Sequence, residues 1–376
     1  MADLAAGVRN LLRRAVNAGS APGIVAMWGA RGAGFSCEAF GLARVRPSRA
    51  AVTVETWFDL ASLTKPLVTT TLTLLAFRSG ALRPATRVGD VLTGARASAL
   101  GDLEVQDLLT HSSGLPAWLP IYALAKGDPG AAQRCLVSVP LESPPGESVI
   151  YSCLGFVVLG LMLSEVAGEG LDSLFRREVS SALHLEDELG FHPDPETHSI
   201  SGCARNPTAE RRLVRAEKGD STLISNPAIA KPDDGNARFF GGVAGNAGLF
   251  GTARGVAMLA SEFLPGGGSL LSAAEAEEAT RSRTPGLEQE RGWGWQIAAS
   301  PGCSAGESVS DRAFGHTGYT GVSVWCDPVT DGVYVLLTNR NHPAQRENDL
   351  HPLRRRFHAI ASRSFASERG LKRSKG

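Results

Sequence analysis

Apolar positions at the start of the chain recur with a helical period. Leu4, Val8, Leu11, Leu12 and Val16 share one face, with Arg9, Arg13 and Arg14 among them, so an amphipathic helix is predicted over 2–18. Residues 23–28 and 34–44 then alternate or run apolar on either side of Ala30-Arg31-Gly32-Ala33-Gly34, the pattern of a β-hairpin. Residues 67–78 are apolar on nearly every face and stop at Gly80, as a helix buried inside a domain does. From Arg83 to about Asp234 the texture changes to helical stretches and loops with few β-branched runs. A helix over 103–109 ends at His111-Ser112-Ser113-Gly114-Leu115-Pro116, and a strongly apolar helix over 154–166 follows a loop carrying Tyr151. Residues 194–236 are polar, with Pro, Asn and Asp, and read as a long surface excursion. The glycine-rich run 241–251 supplies close backbone approach before a helix over 252–263. Residues 292–298, 321–326 and 332–338 read as three strands, and 351–365 as a closing helix.

Strands at both ends around a helical middle predict an α+β fold. An antiparallel sheet is flanked by the N- and C-terminal helices, with a mainly helical lobe inserted. The sheet lobe is expected over about 1–82 and 237–376 and the helical lobe over about 83–236, one catalytic domain with a cleft between them. At 376 residues the chain can bury a substantial core. Its 38 acidic and 38 basic residues balance, which argues against nucleic acid as a partner. Six cysteines without a Cys-x-x-Cys pair or other metal-ligand spacing predict reduced thiols, no metal and no cofactor. Neither a signal peptide nor the ~20-residue apolar run of a membrane helix is evident, so a cytoplasmic protein without a membrane partner is expected.

The candidate chemistry gathers at Trp57-Phe58-Asp59-Leu60-Ala61-Ser62-Leu63-Thr64-Lys65-Pro66. Residues three apart share a helical face, so the Lys65 amine belongs beside the Ser62 hydroxyl. A serine needs such a neighbour, because its alkoxide is too costly to form unaided. Burial would favour the neutral amine and let Lys65 act as the base. Six of the 38 basic residues are lysines, and only Lys65 follows a serine by three. The first-turn amide of Ser62 is half of an oxyanion site. Tyr151 could relay protons. His316-Thr317-Gly318 opens a strand, where His316 could donate to a substrate carboxylate or to Tyr151. The Tyr319 amide could be the second oxyanion donor. No G-x-S-x-G elbow, H-E-x-x-H or Walker lysine is present.

Ser62-x-x-Lys65, Tyr151-Ser152-Cys153 and His316-Thr317-Gly318 together resemble, in order and spacing, the serine β-lactamase and penicillin-binding-protein superfamily. The flanks, 58–66, 107–116, 145–168, 241–251 and 315–343, look closest to its class C-like branch of esterases and D-aminopeptidases. The resemblance implies a β-lactamase/transpeptidase-like fold and an acyl-enzyme on Ser62, with Lys65 as base or relay and Tyr151 as the relay to leaving group and water. It implies a pocket lined by Cys153, His316, Thr317 and Gly318, with the Ser62 and Tyr319 amides as oxyanion hole. The substrate would be a small ester, amide or D-amino-acid peptide; a β-lactamase and a non-catalytic penicillin-binding-like sensor are the alternatives. Two positions depart from the pattern. Cys153 stands where the family often has Asn, and His316 where β-lactamases often have Lys, so esters are expected ahead of β-lactams.

Overall fold

The computed structural model describes residues 2–46, 48–203, 229–344 and 348–368. In chain order its strands are β1 (Gly23–Ala30), β2 (Gly34–Arg44), β3 (Ala50–Ala51), β4 (Phe58–Asp59), β5 (Leu189–Gly190), β6 (Phe250–Gly251), β7 (Gln296–Ile297), β8 (Phe314–Thr317), β9 (Ser323–Asp327) and β10 (Gly332–Thr338). Seven form an antiparallel sheet in the order β3-β2-β1-β10-β9-β8-β7, and β4-β6-β5 form a second, smaller one. β1 pairs with β10 from Ile24↔Thr338 to Ala30↔Gly332, so the two ends of the chain meet at the sheet's centre.

Both faces of that centre are covered, which is why β1 reads as a continuous apolar run. Ile24, Ala26 and Trp28 pack with Leu11 and Leu12 of α1 (Ala2–Asn17) and with Phe357 of the helix His351–Glu368. Val25 and Met27 join the opposite core with Leu63, Leu67, Val256 and Leu259. The terminal helices and the buried segment after Ser62 therefore lie on opposite faces of one sheet.

The segment after Ser62 is not the uniform helix expected. A 3₁₀ turn (Ala61–Leu63) leads into a wide π turn (Lys65–Thr70), and only then does α2 (Thr71–Ser79) begin, ending on Gly80 at φ 77°. Pro66 has no N–H to donate. Threonine hydroxyls also compete for backbone carbonyls, Thr71 Oγ1 with Pro66 O at 3.3 Å and Thr73 Oγ1 with Thr69 O at 2.7 Å. The apolar helix Cys153–Ala167 lies alongside and is buried over most of its length.

Two further expectations need correction. The strand read over 292–298 is only Gln296–Ile297, because Gly294 turns left-handed (φ 71°) and its amide bonds to Leu109 O; Trp293 and Trp295 are buried in the core instead. Of the excursion read over 194–236, residues 204–228 lie outside the described residues. Its described flanks divide: 194–197 and 199 are exposed as expected, whereas Ile200 and Cys203 pack with Trp57 and Phe250, and Asp233 and Asn236 are buried. Among the described residues no single helix is long and apolar enough to cross a membrane.

Candidate active site

Ser62 stands on a strained turn. β4 ends at Asp59, and Ala61 then takes a left-handed conformation (φ 46°), which costs a residue with a Cβ free energy that the surroundings must offset. Asp59 Oδ1 accepts from the Ala61 amide at 2.9 Å, Thr64 Oγ1 donates to Ala61 O at 2.6 Å, and the Leu249 amide donates to Thr64 Oγ1 at 3.2 Å. The other oxygen of Asp59 accepts from the Asp233 amide at 2.7 Å. Burial pushes the Asp59 carboxyl up to about 6, against the opposing effect of those two amides. The Ser62 amide lies in the first turn, where a helix supplies no acceptor of its own.

Lys65 is fully buried. Its Nζ donates to Ser62 Oγ at 3.1 Å, to Asn246 O at 3.2 Å and to Cys153 Sγ at 3.4 Å. It also lies 4.9 Å from the centre of the Tyr151 ring. Burial pushes this ammonium down, but the Cys153 and Tyr151 side chains beside it outweigh burial and the net direction is upward. The expectation that burial alone frees the Lys65 amine is therefore corrected: the resting site keeps its proton.

Tyr151 precedes the helix Cys153–Ala167, where Ser152 Oγ caps the Gly155 amide at 3.2 Å and itself donates to Pro116 O at 2.7 Å. Two imidazoles flank its ring, His111 at 4.6 Å and His316 at 5.7 Å between centroids. The Arg291 guanidinium lies 5.4 Å from the ring centre. His111 Nδ1 accepts from the Ser152 amide at 3.0 Å, so the proton of its neutral ring sits on Nε2. His316 is the reverse. Its Nδ1 faces Thr317 O at 2.7 Å, and a carbonyl only accepts, so Nδ1 carries the proton and Nε2 a lone pair. Both Nε2 atoms are buried without a described partner. Burial first, and then the nearby cations Lys65 and Arg291, push both imidazoles well below their usual range. This corrects the reading of His316 as a donor to a carboxylate or to Tyr151: its N–H is committed to Thr317, and its free nitrogen accepts.

His316 lies inside β8 rather than opening it. Beyond Thr317, Gly318 packs against the serine's turn, where a Cβ would come within 2.5 Å of Val322 Cγ2 and 3.0 Å of Leu60 O. Thr320 Oγ1 donates to Asp59 O at 2.8 Å. These contacts bring the Tyr319 backbone beside the Ser62 turn, while its side chain is 44% exposed with the Arg340 guanidinium 5.2 Å from its ring centre. Ser62, Lys65, Tyr151, Cys153, His316, Thr317, Gly318 and Tyr319 thus converge on one place.

The sequence pattern of the Beta-lactamase family matches residues 8–359. The chain belongs to that family. As a Beta-lactamase-family protein it is a serine hydrolase. It is 29% identical over 324 residues to an Escherichia coli K12 protein named "Putative D-alanyl-D-alanine carboxypeptidase", covering 80% of this chain and 73% of that one. It is 28% identical over 321 residues to a Bacillus subtilis 168 protein named "N-acetylmuramyl-L-alanine amidase", covering 79% and 70%. In fold it is similar to a class C β-lactamase (TM-score 0.73, 16% identity, 99% of this chain and 98% of that one). It is also similar to EstCE1, described as a hydrolase with promiscuous acyltransferase activity (TM-score 0.72, 22% identity, 95% and 98%).

Three residues of this family member's site are missed by the sequence reading. His111 falls within a stretch read as a helix stop and as a flank of the resemblance, with no role given to its imidazole; its left-handed φ of 60° shows only in the structure. Asn246 contributes its backbone carbonyl to Lys65 from the glycine-rich run, which was expected to approach closely but not to bond the lysine. Arg291 has no local sequence signal, because its place beside Tyr151 depends on the chain crossing the cleft.

Proposed function

We propose that this protein hydrolyses small esters or amides through an acyl-enzyme on Ser62. The observation that carries the reading is the fully buried Lys65 ammonium donating to Ser62 Oγ at 3.1 Å. Ser62 Oγ attacks the acyl carbon, and its proton passes to the Lys65–Tyr151 pair and then to the leaving group. A water molecule repeats the sequence to release the acid. The amides of Ser62 and Tyr319 receive the oxyanion, a contribution worth ~3–4 kcal/mol per donor in serine proteases. With Lys65 held as an ammonium it takes no further proton: its part is to hold charge, and Tyr151, as the phenolate, is the oxygen that takes the Ser62 proton and passes it to the leaving group.

Cys153 and His316 favour esters over β-lactams. The thiol at position 153 is a weak donor for an acyl-side amide. His316 brings no cation to a substrate carboxylate. A second reading, cleavage of D-amino-acid peptides, has support in the names of the relatives. A fluorophosphonate probe with intact-mass detection tests the common core: one adduct on the wild type and none on Ser62→Ala, a loss on the order of 10⁶ in rate. An adduct that persists in Ser62→Ala would overturn the assignment. Turnover of p-nitrophenyl esters against D-alanyl peptides then separates the two substrate classes.

A further inference from the structure

We propose that Arg291 is a positioning residue of the reaction, supplying the counter-charge to Tyr151 while that phenol passes the proton of Ser62. The inference rests on the relay role given to Tyr151 above. Its starting point is a buried cation without an anion. Arg291 is 5% exposed. Its guanidinium donates to the side-chain oxygen of Gln289, its Nε has no described partner, and among the described residues no carboxylate pairs with it. A charge held this way is expensive unless an opposite charge forms nearby. The group within reach that can carry one is Tyr151, whose ring centre is 5.4 Å from the guanidinium carbon.

The backbone holds Arg291 in place independently of catalysis. Its amide donates to Thr284 Oγ1 at 2.9 Å, and its carbonyl accepts from the Arg283 amide at 2.8 Å. The charged and titratable groups facing Tyr151 come from five segments: Lys65 after the serine, Cys153 on its helix, His111, His316 on β8, and Arg291 ahead of β7. The carboxylate acting on this group is Asp234, through Lys65. The two imidazoles are neutral, each with one ring nitrogen committed to the backbone. When Ser62 Oγ bonds the acyl carbon, the departing proton enters the Lys65–Tyr151 pair, and it leaves again to the departing group. With Lys65 already an ammonium, the acceptor is the Tyr151 oxygen, which bears negative charge before it takes that proton and again once it has passed it on; Arg291 lowers the energy of that anionic state by Coulomb attraction without touching substrate.

The test uses the full-length protein and a p-nitrophenyl ester. Arg291→Met keeps the stem and removes the charge. It is expected to lower kcat by about 10- to 100-fold with little change in KM, and to move the acid limb of the pH–rate profile up by about one unit. Arg291→Lys restores most of both. In a Tyr151→Phe background Arg291→Met has little further effect, because the two act as a unit. If Arg291→Met fails to fold, Arg291→Gln gives the same comparison. A wild-type pH limb in the charge-removing variant, or a loss that persists in full in the Phe background, overturns the inference alone. Wild-type turnover in Tyr151→Phe, with Ser62 still labelled, overturns the relay reading and the inference together.

Discussion

At the scale of single residues, two side chains set what the cleft can recognise. Lys65 reaches Cys153 Sγ at 3.4 Å, so the lysine's partner is kept while the donor for an acyl amide is lost, at ~1–3 kcal/mol for a buried amide left unpaired. His316 changes the picture more than its residue type suggests. A histidine in place of a lysine invites the expectation that acid would charge it and recruit carboxylate-bearing substrates. The Thr317 carbonyl fixes its tautomer, and burial with Lys65 and Arg291 pushes it well below the usual imidazole range. Activity toward such substrates is therefore expected not to rise between pH 7 and pH 5; an increase there that disappears in His316→Gln would show that the imidazole does charge. The Cys153→Asn/His316→Lys double change should shift the ratio of nitrocefin to ester turnover toward nitrocefin, measured as kcat/KM for both. An unchanged ratio would mean that neither side chain sets the preference. The residue type at 316 is legible in the sequence, but its tautomer depends on a carbonyl and two cations brought together by folding.

At the scale of elements, the site is an assembly of segments held at backbone contact. The run containing Gly245 and Asn246 must touch the helix Cys153–Ala167 for the Asn246 carbonyl to reach Lys65. A Cβ on Gly245 would lie 2.0 Å from Phe156 O and 2.9 Å from Gly160 N, both backbone atoms that cannot swing aside. Thr69 Oγ1 ties the same run to the π turn through Gly245 O at 2.6 Å. Gly245→Ala is expected to destabilise the fold by ~1–3 kcal/mol and to slow Ser62 labelling by displacing the Asn246 carbonyl from the ammonium. Thermal denaturation with fluorophosphonate kinetics checks this, and labelling at the wild-type rate would show that the carbonyl contact is dispensable. The periodicity of α1, of β1 and β2, and of the buried helices is legible because each buries a continuous face. The π turn is not, since Pro66 and the threonine hydroxyls that compete for its carbonyls sit in a stretch whose apolar pattern reads as ordinary helix. The short β7 is not either, since glycines and tryptophans make strand-like hydrophobicity without strand pairing.

At the scale of the whole molecule, buried titratable groups pull stability in opposite directions with pH. Asp59 is pushed up to about 6, from an unfolded value near 3.8. Between those values the unfolded chain has lost a proton that the folded chain keeps, so this group's contribution is full below ~4 and declines as pH rises to 6, by ~3 kcal/mol. Three buried imidazoles do the reverse. Burial pushes His358 down to about 3, and His111 and His316 are also held well below 6.5. Below pH 6.5 the unfolded chain takes up protons that the folded chain refuses, and each imidazole costs ~1.4 kcal/mol per pH unit. From pH 6.5 to 5 His358 alone costs ~2 kcal/mol while Asp59 returns ~1–2, and His111 and His316 act in the same direction as His358, so the histidines win. Urea unfolding at pH 7.5 and pH 5 is expected to show lower stability at the lower pH, against a usual margin of about 5–15 kcal/mol. His358→Gln removes one imidazole away from the cleft, where it contacts Ser323 Oγ at 3.1 Å, and should flatten that decline. Asp59→Asn should steepen it, because the opposing titration disappears, although an amide NH₂ facing the Ala61 or Asp233 N–H lowers stability at every pH. Stability that is level or rising from pH 7.5 to 5 would mean that the imidazoles charge within the fold.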